Sequence, residues 1–214
     1  MTGFFEIYGE MLVNSIITHL FYVFVSVFFG FFLGLALGIL LTRIPKYSGV
    51  ILPVISVFQT IPGIVFIGTL FIYIGMVPLT VIIALSIYAM FPVLKNTYVG
   101  IMNVEPQYTE AARGCGMSKA QTLFQVELPL AMPTIIAGLR MSTIYTVSWA
   151  VLAAMIGLGG LGDFIYRGIA SNNNTLIIAG AIPAAILAIC LGQLIDRLQK
   201  RVVPRGLRKG GAVK

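Results

Sequence analysis

The sequence predicts an all-α integral membrane protein with five crossing helices, and three observations predict it. Charged residues make up 10% of the 214-residue chain and hydrophobic residues 58%, whereas an ordinary globular domain is about 25% charged. A soluble fold of this size leaves too much of its surface in water to hide that share of apolar side chain. The charges also fall at the ends of long charge-free runs, and a crossing needs about 20 apolar residues. Finally, of the 14 Lys and Arg all but Arg167 fall in segments 43–49, 95–140 and 196–214. The positive-inside rule places those segments in the cytoplasm. With an odd number of crossings, the N-terminus is then outside and the C-terminus inside.

The elements follow in order. Residues 1–18 are expected as an extracellular segment; they carry Glu6 and Glu10 and no basic stretch, which argues against a cleaved signal peptide. The first span is expected over about 20–42. Its Gly30, Gly34 and Gly38 share one face and invite a close helix neighbour, either within the subunit or in a dimer. The 48 uncharged residues between Lys46 and Lys95 are too many for one crossing and suit two, about 50–74 and 77–98, with a turn at Gly75-Met76-Val77-Pro78. The earlier of these contains Pro53, Gln59, Pro62 and Gly63. It is expected to be bent or unwound, and to face protein or a pathway. The fourth and fifth spans are expected over about 131–156 and 175–195, followed by a basic tail over 200–214 beside anionic lipid. Arg140 is expected to reach back to headgroups or the central loop, and Lys95 to do the same. His19 is expected at the interface.

The long polar stretch reads as two short helices set at an angle. Pro106 suits a first turn, Gly114 and Gly116 an end, and Ser118-Lys119-Ala120-Gln121 a capping box. Pro129 is expected to stop the second helix before the fourth span begins. A helix–turn–helix displayed this way suits a groove on a partner protein.

What the chain lacks and where its charge lies argue against several functions. The net charge of +7 sits at span ends and in the tail, so no nucleic-acid partner is expected. Cys115, Cys190 and one histidine make neither a disulfide framework nor a zinc site, and no metal or cofactor is expected in this chain. No G-x-x-x-x-G-K-[ST] phosphate loop is present. Gly157, Gly159 and Gly162 do spell G-x-G-x-x-G, but they follow a membrane helix without a βαβ unit and read as a tight outer turn. Proton-driven carriers usually need carboxylates within the membrane, and all seven acidic residues lie outside the apolar runs. An intramembrane enzyme lacks clustered ligands or a nucleophilic dyad.

Glu110-Ala111-Ala112, Gly116 and Val126-Glu127-Leu128-Pro129 resemble the EAA loop of binding-protein-dependent ABC importer permeases. The one departure is Val126, where isoleucine is commoner. Gln59-Thr60-Ile61-Pro62, Lys95-Asn96-Thr97-Tyr98, Gly159-Gly160-Leu161-Gly162-Asp163 and Ala179-Gly180-Ala181-Ile182-Pro183 are similar to the glycine betaine/carnitine/choline permeases, over about residues 15–208. The resemblance implies a type I ABC importer transmembrane domain over 19–199 with an EAA loop over 103–129. It also implies two ATPase subunits that hold ATP and Mg, a second permease (a related chain or a copy) and an extracellular substrate-binding lipoprotein. The setting is a bacterial cell membrane, where the sequon Asn173-Asn174-Thr175 is unused.

On this reading Glu110, Ala111, Ala112, Gly116, Leu123, Phe124, Leu128 and Pro129 couple the chain to the ATPases. Glu110 holds the docking geometry, Gly116 permits the turn, and Leu123 and Phe124 supply apolar contacts. On the fourth span Ser142, Tyr145, Thr146 and Trp149 follow an i, i+3, i+4, i+7 rhythm. With Gln59 they are expected to line the translocation pathway, the two rings contacting a quaternary ammonium group. Interhelical hydrogen bonding with an interfacial tryptophan is the other reading of that stripe. Asp163 and Arg167 are expected to help dock the receptor. The implied function is ATP-driven import of glycine betaine, carnitine or choline. A different small polar solute such as an amino acid, or an ion-coupled carrier, is the alternative.

Overall fold

The computed structural model describes residues 2–203, with side chains from residue 5 onward. Every regular element among them is helical: α1 Thr2–Arg43, α2 Pro45–Phe58, α3 Gly63–Ile74, α4 Pro78–Met102, α5 Pro106–Gly114, α6 Lys119–Thr122, a π turn Leu123–Glu127, α7 Leu128–Ala150, a 3-10 turn Val151–Ile156, α8 Gly162–Ala170 and α9 Asn174–Val202. Four helical stretches are long and apolar enough to cross a membrane, and the bent pair α2–α3 makes a fifth.

The expected outer segment 1–18 is not a separate element, because α1 runs through it without a break from Thr2. The stretch contains no proline, and charges such as Glu6 and Glu10 end a membrane span without ending a helix. At 1.5 Å per residue a helix of 42 residues is about 63 Å long, twice the hydrocarbon thickness. The other ends shift as well. The span expected to stop near 98 continues to Met102, and α9 continues to Val202, so residues 200–202 of the expected tail are helical. The rest of that tail, from 204 onward, lies outside the described residues.

The glycine face of α1 is filled by α4. A methyl built on Gly30, Gly34 or Gly38 would sit 2.6 Å from Ala89 Cβ, the Met90 carbonyl oxygen or Thr97 Cβ respectively. The small residues therefore serve packing inside the subunit. On the far side of α4, Gly138 of α7 is equally tight, its missing methyl lying 2.7 Å from Asn96 Cβ. Tyr22, Val23, Val81, Leu85, Val147, Ala150 and Leu191 close this core across α1, α4, α7 and α9.

The span expected to be bent is broken. α2 and α3 meet at 85° across residues 59–62, and the Ile61 carbonyl exposed by the break accepts a hydrogen bond from the Tyr88 hydroxyl at 2.7 Å. The turn expected at 75–78 is present, with Gly75 at φ +93° and Pro78 opening α4.

Three local expectations are overturned. Pro129 does not stop the helix. Its ring would clash with the carbonyl four residues back, and the chain widens instead, the Leu128 N–H donating to the Leu123 carbonyl, so α6 runs on into α7. Arg140 does not reach back to the central loop; it pairs with Asp196 of α9 at 2.9 Å. His19 is fully buried, not interfacial, with Nε2 donating to the Val147 carbonyl at 3.1 Å.

Candidate functional site

The candidate residues gather at two ends of the bundle, one carrying the α5–α6 elbow and the other the glycine turn 157–160. At the elbow, Pro106 starts α5, where its missing N–H costs nothing. The helix closes in a Schellman arrangement: the Met117 N–H donates to the Ala112 carbonyl at 3.1 Å and the Gly116 N–H to the Arg113 carbonyl at 2.9 Å. Gly116 holds φ +79°, a region that L side chains enter only with strain. Two residues later Ser118 opens α6 with the capping box the sequence predicts. The Gln121 N–H donates to Ser118 Oγ at 3.3 Å, and the Ser118 N–H donates to Gln121 Oε1 at 2.8 Å. Only Met117 separates the Gly116 that closes the end of α5 from the Ser118 that caps α6.

The candidate coupling residues divide between two faces of this elbow. Glu110 and Ala111 are exposed, as is Phe124 at 66%. Ala112 is 5% exposed and faces inward. Leu123 and Leu128 pack on Ile101, Ala131 and Ile135 beneath the elbow, so Leu123 is a support and Phe124 alone of the apolar pair is presented outward. Pro129 is half-buried beside Leu128. Sequence reasoning missed the most directional contact here, the ion pair of Arg43 at the end of α1 with Glu127 of the π turn. The two are 84 residues apart, and no local pattern signals them.

The polar stripe on α7 also divides. Ser142 is fully buried and donates to the Ala89 carbonyl of α4 at 2.6 Å, and Thr146, equally buried, donates back to the Ser142 carbonyl at 2.8 Å. Ser142 belongs to the α4–α7 contact and Thr146 is closed off inside the bundle, so neither lines an open face, which corrects that part of the expectation. Tyr145 is 44% exposed. Its neighbour Trp149 lies with ring centroids 6.1 Å from Tyr145 and 4.4 Å from Tyr88. Tyr88 in turn meets Phe66 of α3 edge-on at 5.4 Å. An aromatic row thus runs from α7 across α4 to the broken span, where Gln59 is exposed at the break.

At the opposite end, Gly157, Gly159 and Gly160 all hold positive φ, which makes the turn that the false nucleotide motif disguises. The Tyr22 hydroxyl donates to the Leu158 carbonyl at 3.0 Å and pins the turn to α1. Asp163 and Arg167 lie one helical turn apart on α8, 3.8 Å from each other, anchored by the fully buried Phe164. Asn173 caps α9, its Oδ1 accepting from the Thr175 N–H at 3.0 Å; that accounts for the sequon without a sugar. An open groove of about 460 Å³ borders the turn, lined by Glu10, Asn14, Ser15, Thr18, Gly159 and Gly160. The four-residue spacing of Glu10, Asn14 and Thr18 on α1 is the sequence signal that finds it.

Comparison with known proteins adds a family and a fold. Residues 30–208 match the model of the "binding-protein-dependent transport system inner membrane component". The chain is 39% identical over 206 residues to the carnitine transport permease protein OpuCB of Listeria monocytogenes, covering 96% of this chain and 94% of that one. It is 37% identical to the choline transport system permease protein OpuBB of Bacillus subtilis, covering 94% and 92%. It is also 36% identical to the osmoprotectant import permease protein OsmY of Salmonella typhimurium, covering 87% and 80%. Among solved structures, an inward-facing MetNI methionine ABC transporter chain superposes with a TM-score of 0.84 over 93% of this chain and 99% of that one, at 23% identity. That likeness gives the fold, a type I ABC importer transmembrane domain.

Proposed function

The chain belongs to the inner membrane components of binding-protein-dependent transport systems, and on that premise we propose that it carries quaternary-ammonium osmoprotectants into the cell. Glycine betaine, carnitine and choline are the expected solutes, and ATP hydrolysis on a partner subunit drives them. ATP and Mg belong to that partner, and this chain supplies the door. Two ATPase subunits, a second permease (a related chain or a copy) and an extracellular substrate-binding lipoprotein complete the assembly. The elbow end faces the cytoplasm with most of the Lys and Arg, and the N-terminus is outside in a bacterial cell membrane.

The single observation that supports this most is the elbow. Glu110-Ala111-Ala112 and Gly116 occupy a rigid, doubly capped helix–turn–helix that projects Glu110, Ala111 and Phe124 away from the bundle, the shape a partner groove requires. Substrate passage is assigned to the face carrying Tyr145, Trp149 and Gln59. A permanently charged ammonium with no hydrogen to donate is held best by ring faces, at about 0.5–2 kcal/mol per contact. Ser142 and Thr146 hold the wall behind that face. Asp163 and Arg167, beside the polar groove, are the receptor's docking points.

Purified complex in liposomes tests this with radiolabelled glycine betaine, carnitine, choline and methionine. Receptor- and ATP-dependent uptake of at least one of the three ammonium solutes is expected. Uptake of methionine instead, or uptake driven by an ion gradient without ATP, overturns the reading.

A further inference from the structure

α1 ends at Arg43, and its guanidinium forks onto Glu127, Nη2 against Oε2 and Nη1 3.5 Å from Oε1. Two-pronged arginine–carboxylate contacts fix orientation as well as distance. Glu127 is the last residue of the π turn that joins the elbow to α7. Its side chain is 12% exposed, against 43% for Arg43. Two other polar contacts tie the same end of the bundle together. Ser48 Oγ lies 2.8 Å from the Tyr98 hydroxyl, linking α2 to α4, and Arg140 pairs with Asp196, linking α7 to α9. Of these three contacts, only the Arg43–Glu127 pair joins α1 to the segment that carries the elbow.

We infer that Arg43 and Glu127 are positioning residues for ATP-coupled transport, their ion pair being the joint that passes displacement of the elbow to α1. The inference rests on the reading of the elbow as the ATPase contact. An ion pair this open adds little stability, so its consequence is mechanical. The π turn is a compliant point, where i→i+5 bonding replaces the tighter ladder on either side, and an elbow pushed from below would otherwise spend its motion there. Glu127 closes that turn, so the Arg43–Glu127 bridge fastens the compliant segment itself to the end of α1. Because α1 meets α4 backbone to backbone along its glycine face, what moves α1 moves α4 with it.

The test uses the complete complex, with its ATPase and receptor, in liposomes, and reads radiolabelled glycine betaine or choline imported per ATP hydrolysed. Arg43→Glu and Glu127→Arg are each expected to lower that ratio by about ten-fold or more, while the ATPase still co-purifies and hydrolyses. The charge-swapped double variant is expected to restore most of the ratio, and Arg43→Lys, which keeps the charge but not the fork, to fall between wild type and Arg43→Glu. An unchanged ratio in the single reversals, or a swap that assembles yet restores nothing, overturns the inference. Should the reversals fail to assemble, Arg43→Gln, Glu127→Gln and their combination serve instead. Non-additive losses then support the joint and additive ones overturn it. Failure of the underlying elbow reading is distinct and comes first: the unaltered complex would show no bound ATPase or no ATP-dependent uptake.

Discussion

Gly34 in the bundle core and Gly116 in the elbow are the same residue put to opposite uses. A methyl on Gly34 would lie 2.6 Å from the Met90 carbonyl oxygen, so the glycine is there to let two backbones touch. A methyl on Gly116 would meet nothing within 4 Å, and the glycine is there because the backbone turns through φ +79°. The core is therefore held by proximity between helices. The elbow is held by its own hydrogen bonds, two at the Schellman end of α5 and two in the capping box of α6. A part that must move as a unit against a partner benefits from being rigid within itself while lightly fastened to the rest. A part that must not come apart benefits from contact that cannot loosen by degrees.

Gly34→Leu breaks the comparison hardest. It wedges α1 off α4, and a loss of about 3 kcal/mol or more is expected, read as absence of a monodisperse, folded peak in detergent. Gly68→Leu, at a site with open space around it, leaves that peak in place. Gly116→Val is expected to strain the elbow by about 1–2 kcal/mol, too little to unfold the bundle, and to cut solute imported per ATP by about ten-fold. Gly116→Asn, which tolerates the left-handed region, should fall between valine and wild type. Ser118→Ala removes the side-chain half of the capping box at a cost of about 1 kcal/mol. Faster amide exchange confined to α6 and the π turn checks it. Ser142→Ala is expected to cost least, about 0.6 kcal/mol, the average for an interhelical hydrogen bond in a membrane. Its transport selectivity should stay unchanged, whereas Trp149→Ala should weaken ammonium uptake while leaving assembly intact.

Much of this was legible in the sequence, for physical reasons that are local. Charge-free runs reveal crossings because lipid penalises charge wherever it occurs, and Gly30, Gly34 and Gly38 announce a close neighbour because they repeat on one face. Ser118 and Gln121 announce a cap because both partners lie within one turn. What stayed hidden depends on distance or on competition between rules. The Arg43–Glu127 and Arg140–Asp196 pairs join residues brought together only by the fold. Pro129 reads as a stop because the sequence gives no sign that the preceding turn will widen to accommodate it. Glu6 and Glu10 mark the edge of an apolar run, and the helix continues past them because hydropathy and helicity are separate properties. The α7 stripe was found, yet periodicity could not tell that Ser142 bonds to α4 and Thr146 is buried while Tyr145 stays exposed. Lone His19 carried no pattern at all, and only its neighbours Val147 and Gly160 explain its burial.

The unbroken length of α1 turns this arrangement into a lever. From Arg43 to Glu10 the rod measures about 50 Å at 1.5 Å per residue, and a tilt of about 5° about its Arg43 end would sweep Glu10 through about 4 Å. Glu10, Asn14 and Thr18 form one wall of the groove beside the glycine turn. Because α4 packs backbone to backbone against α1 around Gly34, the two helices would carry that stroke together to the opposite mouth of the molecule, with no separate signal needed to take the message across.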